Sequence, residues 1–298
     1  MRTLILGSAA GGGVPQWNCR CSVCALAWAG DPRVRPRTQS SIAISADGGT
    51  WLLINASPDI RQQIIATHTL HPQEGLRHSP IKGVLLTNGD VDHIAGLLTL
   101  RESQAFDLFA TSEILTALHG NRVFDTLSNK CVSRRSVRLE EAVEPVAGLH
   151  VTLFAVPGKV PLWLENGEPI IGEASENTVA VLIETKAHRL AYIPGCAAVT
   201  DELLARIDNV DLLLFDGTVF EDDDMIRAGV GNKTGWRMGH VPMRGERGSL
   251  TCLSDLGARK IFVHLNNTNP VLIEDSAERY MVEEAGWTVA HDGMVINL

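Results

Sequence analysis

The apolar run 83–86 breaks at once into Thr87-Asn88-Gly89-Asp90-Val91-Asp92-His93, and an amphipathic stretch resumes at Ile94. This junction constrains the fold more than any other feature, because a strand end feeding a helix start is where side chains converge outside a sheet. The turn supplies two carboxylates, an amide and an imidazole. In an extended segment, alternation places Asn88, Asp90 and Asp92 on one side, with His93 turned in beside them. One acidic residue near a helix start reads as a cap. Asp92 would serve as that cap, but capping leaves the rest of the set unexplained.

Two more strand ends carry ligand-type residues. The apolar run 210–215 terminates in Asp216, and the run 260–263 terminates in His264. A single histidine at a strand end is more often a satisfied core residue. Three such ends together read as a metal site.

Strand-like runs recur at 3–6, 41–44, 51–54, 83–86, 150–156, 178–184, 190–193, 210–215, 260–264 and 287–290. Helical periodicity falls at 59–67, 93–102, 111–119, 200–207, 247–256 and 276–285. Ser57 is the expected N-cap of the first, with Pro58 at its first helical position. Residues 186–189 read as a hairpin turn, and 221–224 with 229–239 as one long loop. Each half runs strands first and β-loop-α units second. This order predicts an α+β sandwich (αββα), two mixed sheets face to face with helices outside, as one domain over 1–298.

The chain has 298 residues, of which 45% are hydrophobic and 20% charged, enough apolar material for such a core. A net charge of −9 argues against nucleic acid or an anionic membrane as a general partner. Its start has one basic residue and a short apolar run ended by glycines, a strand and not a signal peptide. No run approaches the roughly 18–20 apolar residues of a membrane span. The expected location is therefore the cytoplasm, with reduced thiols.

Cys131, Cys196 and Cys252 sit among apolar neighbours and read as packed core thiols. Cys19, Cys21 and Cys24 form a C-x-C-x2-C, a structural zinc knuckle at 19–24 that needs a fourth ligand from afar. His240, after Gly239, is the expected donor. The run Gly7-Ser8-Ala9-Ala10-Gly11-Gly12-Gly13 lacks the order of a dinucleotide loop and reads as a tight turn beside the metal site.

Strand, T-x-x-x-x-D-H, helix, a later strand-end aspartate and a final strand-end histidine together resemble the metallo-β-lactamase superfamily. Its usual loop is T-H-x-H-x-D-H; here Asn88 and Asp90 replace the leading histidines, while Asp92 and His93 remain. Asp216 matches the bridging aspartate and His264 the final histidine. The central histidine is absent, since 156–159 read Val-Pro-Gly-Lys, and Asn55 stands where an aspartate is usual. Losing three histidines removes most of one metal position of a binuclear hydrolase. What remains is His93, His264 and a carboxylate from Asp92, Asp90 or Asp216, a 2-His-1-carboxylate set that favours Fe(II) and oxygen chemistry. The phosphodiesterase branch has a similar C-x-C-x2-C with a late histidine, which supports His240.

Longer segments are similar to the family of pyrroloquinoline quinone (PQQ) biosynthesis B proteins. They are 7–13 with Pro15-Gln16-Trp17-Asn18-Cys19, Asn55-Ala56-Ser57-Pro58-Asp59, 88–96, Phe215-Asp216-Gly217-Thr218 and His264-Leu265-Asn266-Asn267-Thr268-Asn269-Pro270. The resemblance implies a non-haem iron enzyme that uses O2 to hydroxylate the tyrosine ring of a Glu–Tyr derived precursor. A carrier role, moving the quinone or its precursor toward the periplasm, and a metal-dependent hydrolase are the alternatives. On this reading Asp92, His93 and His264 hold Fe2+, Asp90 and Asp216 assist, and Zn2+ is structural. Lys159, Lys233 and Arg237 are candidates to neutralise substrate carboxylates, and Trp236 to cover a ring. A second copy of the chain and other proteins of the pathway are candidate partners.

Overall fold

A computed structural model describes residues 1–165, 167 and 170–298. The first sheet holds β1 (Arg2–Gly7), β2 (Ser41–Ser45), β3 (Trp51–Ile54), β4 (Ile81–Leu85), β5 (Phe106–Ala110) and β6 (Val132–Ser136). The second holds β7 (Ala142–Val146), β8 (Leu149–Gly158), β9 (Glu173–Glu184), β10 (Arg189–Ile193), β11 (Leu212–Asp216), β12 (Arg259–Val263) and β13 (Trp287–Val289). A last strand, β14 (Val295–Asn297), returns to the first sheet beside β1, so the spatial orders are 14-1-2-3-4-5-6 and 13-12-11-10-9-8-7.

The strands lack clean polar alternation because each sheet is covered on both faces. In β3, Leu52 and Ile54 join the layer between the sheets, with Leu153, Val181 and Leu214 opposite. Trp51 and Leu53 point the other way, against the helical residues Ile114 and Leu118. A third layer packs Phe215 and Phe262 against Leu203 and Val282 of outer helices. This is the predicted αββα sandwich. Strands β3 to β6 run parallel, as do β10 to β13, so their C-terminal ends carry side chains from separate stretches of chain to one rim.

Local chemistry explains several helix starts. Thr111, Thr200 and Ser276 each accept a backbone N–H three residues on, at the starts of Ser112–His119, Asp201–Ile207 and Ala277–Glu284; such caps each contribute about 1 kcal/mol. Ser57 does not cap. Its hydroxyl donates to Gln63 Oε1, and the helix Ile60–Ala66 begins after Asp59, whose carboxylate is taken by Gln39.

The expected helix 93–102 is one α turn, Val91–Ile94, followed by a 3-10 run, Ala95–Arg101. Gly96 lies so close to the exit of β3 that a Cβ there would be 2.1 Å from the Ser57 carbonyl oxygen. Likewise 247–256 contracts to Ser249–Cys252, while an unforeseen helix, Ser22–Trp28, begins after Cys21 and carries Cys24 in its first turn. The loop 229–239 contains the short helix Gly235–Met238, capped by Thr234. Strands β5, β6, β7 and β14 escape the sequence pattern, and β6 shows why. It is an edge strand whose Ser133, Arg135 and Ser136 are exposed, so periodicity has little to read.

Candidate metal centre

The loop after β4 is fixed from beneath by Asn55, which sits at the end of β3 with a left-handed φ of 60°. Its Oδ1 accepts from Thr87 N at 2.9 Å and its Nδ2 donates to Thr87 Oγ1 at 2.9 Å. An amide does both, whereas the carboxylate usual in the superfamily would only accept. One position further, Asn88 Oδ1 accepts from Asp90 N at 3.0 Å and from His93 Nδ1 at 2.7 Å. Asn88 is therefore not a ligand. It fixes the His93 tautomer, leaving the lone pair on Nε2.

That Nε2 is buried and finds no hydrogen-bond partner among the described residues. Asp92 Oδ2 lies 3.9 Å from it and 3.2 Å from His264 Nε2. The strand-end histidine, with a left-handed φ of 57°, donates its Nδ1 proton to Thr218 Oγ1 at 2.9 Å. Both imidazoles thus have Nδ1 engaged and Nε2 turned toward one carboxylate. The glycine turn closes one side: a Cβ on Gly11 would lie 3.6 Å from the Asp92 carboxyl carbon.

A second cluster, Asp216, His240 and His264, overlaps the first at His264. Asp216 is fully buried, and its valences are already filled. Oδ1 accepts from the Thr218 N–H at 3.0 Å and hydroxyl at 2.7 Å, and Oδ2 accepts from Cys196 N at 3.0 Å and His240 Nδ1 at 2.7 Å. A carboxylate with four donors has little left for a cation. The orphaned Nε2 of His93 therefore marks Asp92, His93 and His264 as the set that fits a metal ion, with Asp216 and His240 behind it.

Burial pushes the Asp92 carboxyl up, but the His93 and His264 rings outweigh it and hold it below the usual carboxylate range. Burial likewise pulls His93 down to about 4, leaving it neutral and able to coordinate. Asp90 is raised, first by burial and then by the neighbouring Asp92 charge. His264 is raised despite burial, chiefly through its hydrogen bond to Asp92.

These groups open into a cavity of about 660 Å³, which Lys159, Lys233 and Arg237 also line. Trp236 does not line it. It stands half exposed over Gly172, where a Cβ would meet its ring at 2.8 Å, so its expected place over a substrate ring is corrected. Lys159 and Arg237 are also not free. Glu165, for which the sequence offered no signal, bridges them.

Cys19, Cys21 and Cys24 gather at the cavity's edge as a second candidate ion site. The reading of His240 as their fourth partner is corrected by the structure, since Asp216 holds that ring at 2.7 Å and it stacks on His264. Gly239 does turn the chain with a φ of 87°, but toward the cavity and over Lys159. The thiols are met instead by Asn267, whose amide nitrogen lies 3.2, 3.8 and 3.3 Å from the three sulfurs. Asn267 lies within a segment the family resemblance contained, but an asparagine among asparagines gives no ligand signal of its own.

The fold and site agree with comparisons to known proteins. A Beta-lactamase superfamily domain matches residues 50–265. The chain is 67% identical over 299 residues to coenzyme PQQ synthesis protein B of Methylobacterium sp. (strain 4-46), covering all of both chains. The chain belongs to the coenzyme PQQ synthesis protein B family. Against the family member of Rhizobium meliloti (strain 1021), identity is 52%, over 100% of this chain and 98% of the other. The crystal structure of the Zn2+-bound family member from Methylobacterium extorquens superposes with a TM-score of 0.99, at 67% identity and full coverage of both chains. A diphosphatase of the PhnP family shares the fold at a TM-score of 0.70 and 20% identity, covering 99% of this chain and 97% of that one. No helix among the described residues is long and apolar enough to cross a membrane.

Proposed function

We propose that the chain acts in PQQ synthesis as a non-haem Fe(II), O2-dependent hydroxylase of the tyrosine ring of a small Glu–Tyr derived precursor, working in the cytoplasm. The observation that carries this reading is the pair of imidazoles with Nδ1 satisfied and Nε2 turned toward Asp92, beside a cavity of about 660 Å³. A 2-His-1-carboxylate face with open positions suits iron. Asp92, His93 and His264 would hold the ion, which when bound would supply O2 activation at its open positions.

The chain's own residues then divide the remaining work. Asn88 and Thr218 keep the two imidazoles in their ligand tautomers. Asp216 and His240 brace Thr218 from behind. Lys233 faces the cavity as a positive charge for a precursor carboxylate. The thiol cluster fits Zn2+, the ion bound in the crystallised relative. Asn267, whose amide nitrogen faces all three sulfurs, would help keep the N-terminal loop on the cavity's edge.

Iron-loaded protein prepared without oxygen should consume O2 only when the tyrosine-containing precursor is added, and His93→Ala or His264→Ala should abolish the uptake. Unchanged uptake in either variant would sink the proposal. A carrier role is the second reading, supported by a cavity able to hold the finished quinone; it predicts binding of PQQ with no uptake at all. Hydrolysis finds less support, and a phosphodiester assay with Zn2+ or Mn2+ should stay at background.

A further inference from the structure

Glu165 follows the 3-10 turn Leu162–Leu164, and that turn is pressed onto the metal loop. Trp163 Nε1 donates to the Gly89 carbonyl at 2.9 Å, and Pro161 would meet a Cβ on Gly89 at 3.1 Å. From there the Glu165 side chain turns inward, only 8% exposed. Oε1 accepts from Lys159 Nζ at 3.1 Å and from Arg237 Nη1 at 3.4 Å, and Oε2 accepts from Arg237 Nη2 at 3.0 Å. This is the two-pronged geometry by which arginine takes any carboxylate.

The composition of this cluster is unbalanced. Two cations share one carboxylate, and both cations, at 13% and 35% side-chain exposure, line the same cavity as the metal face. Lys159 comes from the end of β8 and Arg237 from the helix Gly235–Met238, so two separate segments converge on this wall. A structural ion pair needs one partner of each sign and no cavity. Two cations aimed at a carboxylate beside a ligand-sized space are what a binding site for a carboxylate looks like with its ligand position filled.

We propose that Glu165 is a resident stand-in for a ligand carboxylate. Lys159 and Arg237 form the carboxylate-binding element of the cavity, and an anionic ligand binds there by taking the place of the Glu165 side chain. The exchange swaps one bidentate pair for another, so the cations are never left buried and unpaired. It also sets a threshold. A ligand must outcompete a tethered carboxylate, which admits molecules with several anchoring groups and rejects simple monocarboxylates. The inference rests on the reading of the cavity as the site for a carboxylate-bearing precursor or product.

The test is binding, measured by calorimetry with PQQ as the probe and benzoate as the monocarboxylate control, on the full chain. Glu165→Gln keeps the shape and removes the charge, and should tighten PQQ by about tenfold or more. It should also make benzoate binding measurable where the wild type shows none. Adding Arg237→Ala to Glu165→Gln should erase both gains. Glu165→Asp, too short to span both cations, should give an intermediate gain and serves if the glutamine variant folds poorly. Equal or weaker PQQ binding in both Glu165 variants would overturn the exchange while leaving the cavity reading intact. Absence of PQQ binding to every variant, wild type included, would overturn the cavity reading and the exchange with it. Oxygen consumption plays no part in either readout.

Discussion

Asn88 accepts the Nδ1 proton of His93 across 2.7 Å, and this bond decides which nitrogen of a buried imidazole is left for a metal ion. Where hydrolases of the superfamily keep a histidine, this chain has a residue that orients a candidate ligand through a hydrogen bond. Asn88→Ala should therefore weaken Co2+ or Zn2+ binding at the Asp92 face by about 10- to 100-fold. Asn88→Asp, which keeps the acceptor, should lose much less. Competition titration against a chromophoric chelator checks this, and unchanged affinity in the alanine variant would remove Asn88 from the site.

Asn267 stands where the sequence places His240, with its amide at the three sulfurs, while His240 is bound to Asp216. After dialysis, His240→Ala should retain zinc at the thiols, because the ring is held by Asp216 elsewhere. Asn267→Ala should release that zinc faster into a chelator, as the amide contacting all three sulfurs is gone. Stoichiometry by elemental analysis reads both, and zinc loss confined to the His240 variant would restore the sequence-based assignment.

Gly96→Ala tests the close approach that shortens the helix after His93. Its Cβ would enter at 2.1 Å from the Ser57 carbonyl oxygen, which must move. The loss should be about 1–3 kcal/mol in urea unfolding, with a parallel fall in metal affinity, because Gly96 N and His93 O both bond the backbone of Ala56. A variant as stable as the wild type would show that the segment yields freely.

Asp224 gives a pH signature away from the metal face. Burial raises its carboxyl from 3.8 to about 6, although the Phe220 and Glu221 N–H groups oppose the shift. Between those values the folded chain keeps a proton that the unfolded chain has lost, so this group's contribution to stability declines as pH rises through the window and levels off above it. Asp224→Asn cannot ionise and keeps an acceptor for Phe220 N–H, so it should gain on the wild type from pH 4 to 6 and run parallel above 7. Urea unfolding at four or five pH values measures the difference; a constant gap would remove Asp224 as its source.

The sandwich was legible in the sequence because strands covered on both faces are apolar almost without interruption, as in 51–54 and 210–215. The candidate site residues at strand ends were legible for the same reason, since each polar residue stood out against an apolar run. Three features were not. The edge strand β6 presents polar residues to solvent. Glu165 lies in a stretch with no pattern, and only the folded chain brings it to Lys159 and Arg237. His240 was assigned by spacing and analogy, which cannot register that Asp216, on another strand end, lies close enough to claim it.

The parallel strands deliver donors to one rim whatever those donors are. β4, β11 and β12 end at fixed sockets, and a diphosphatase sharing only 20% identity keeps the same frame. In such an architecture the scaffold and the chemistry can diverge independently. Replacing the contents of a socket, as Asn88 and Asp90 do here, changes the donor set at the rim while every strand keeps its neighbours. Two such donor sets can then differ by a few loop codons, without a new fold.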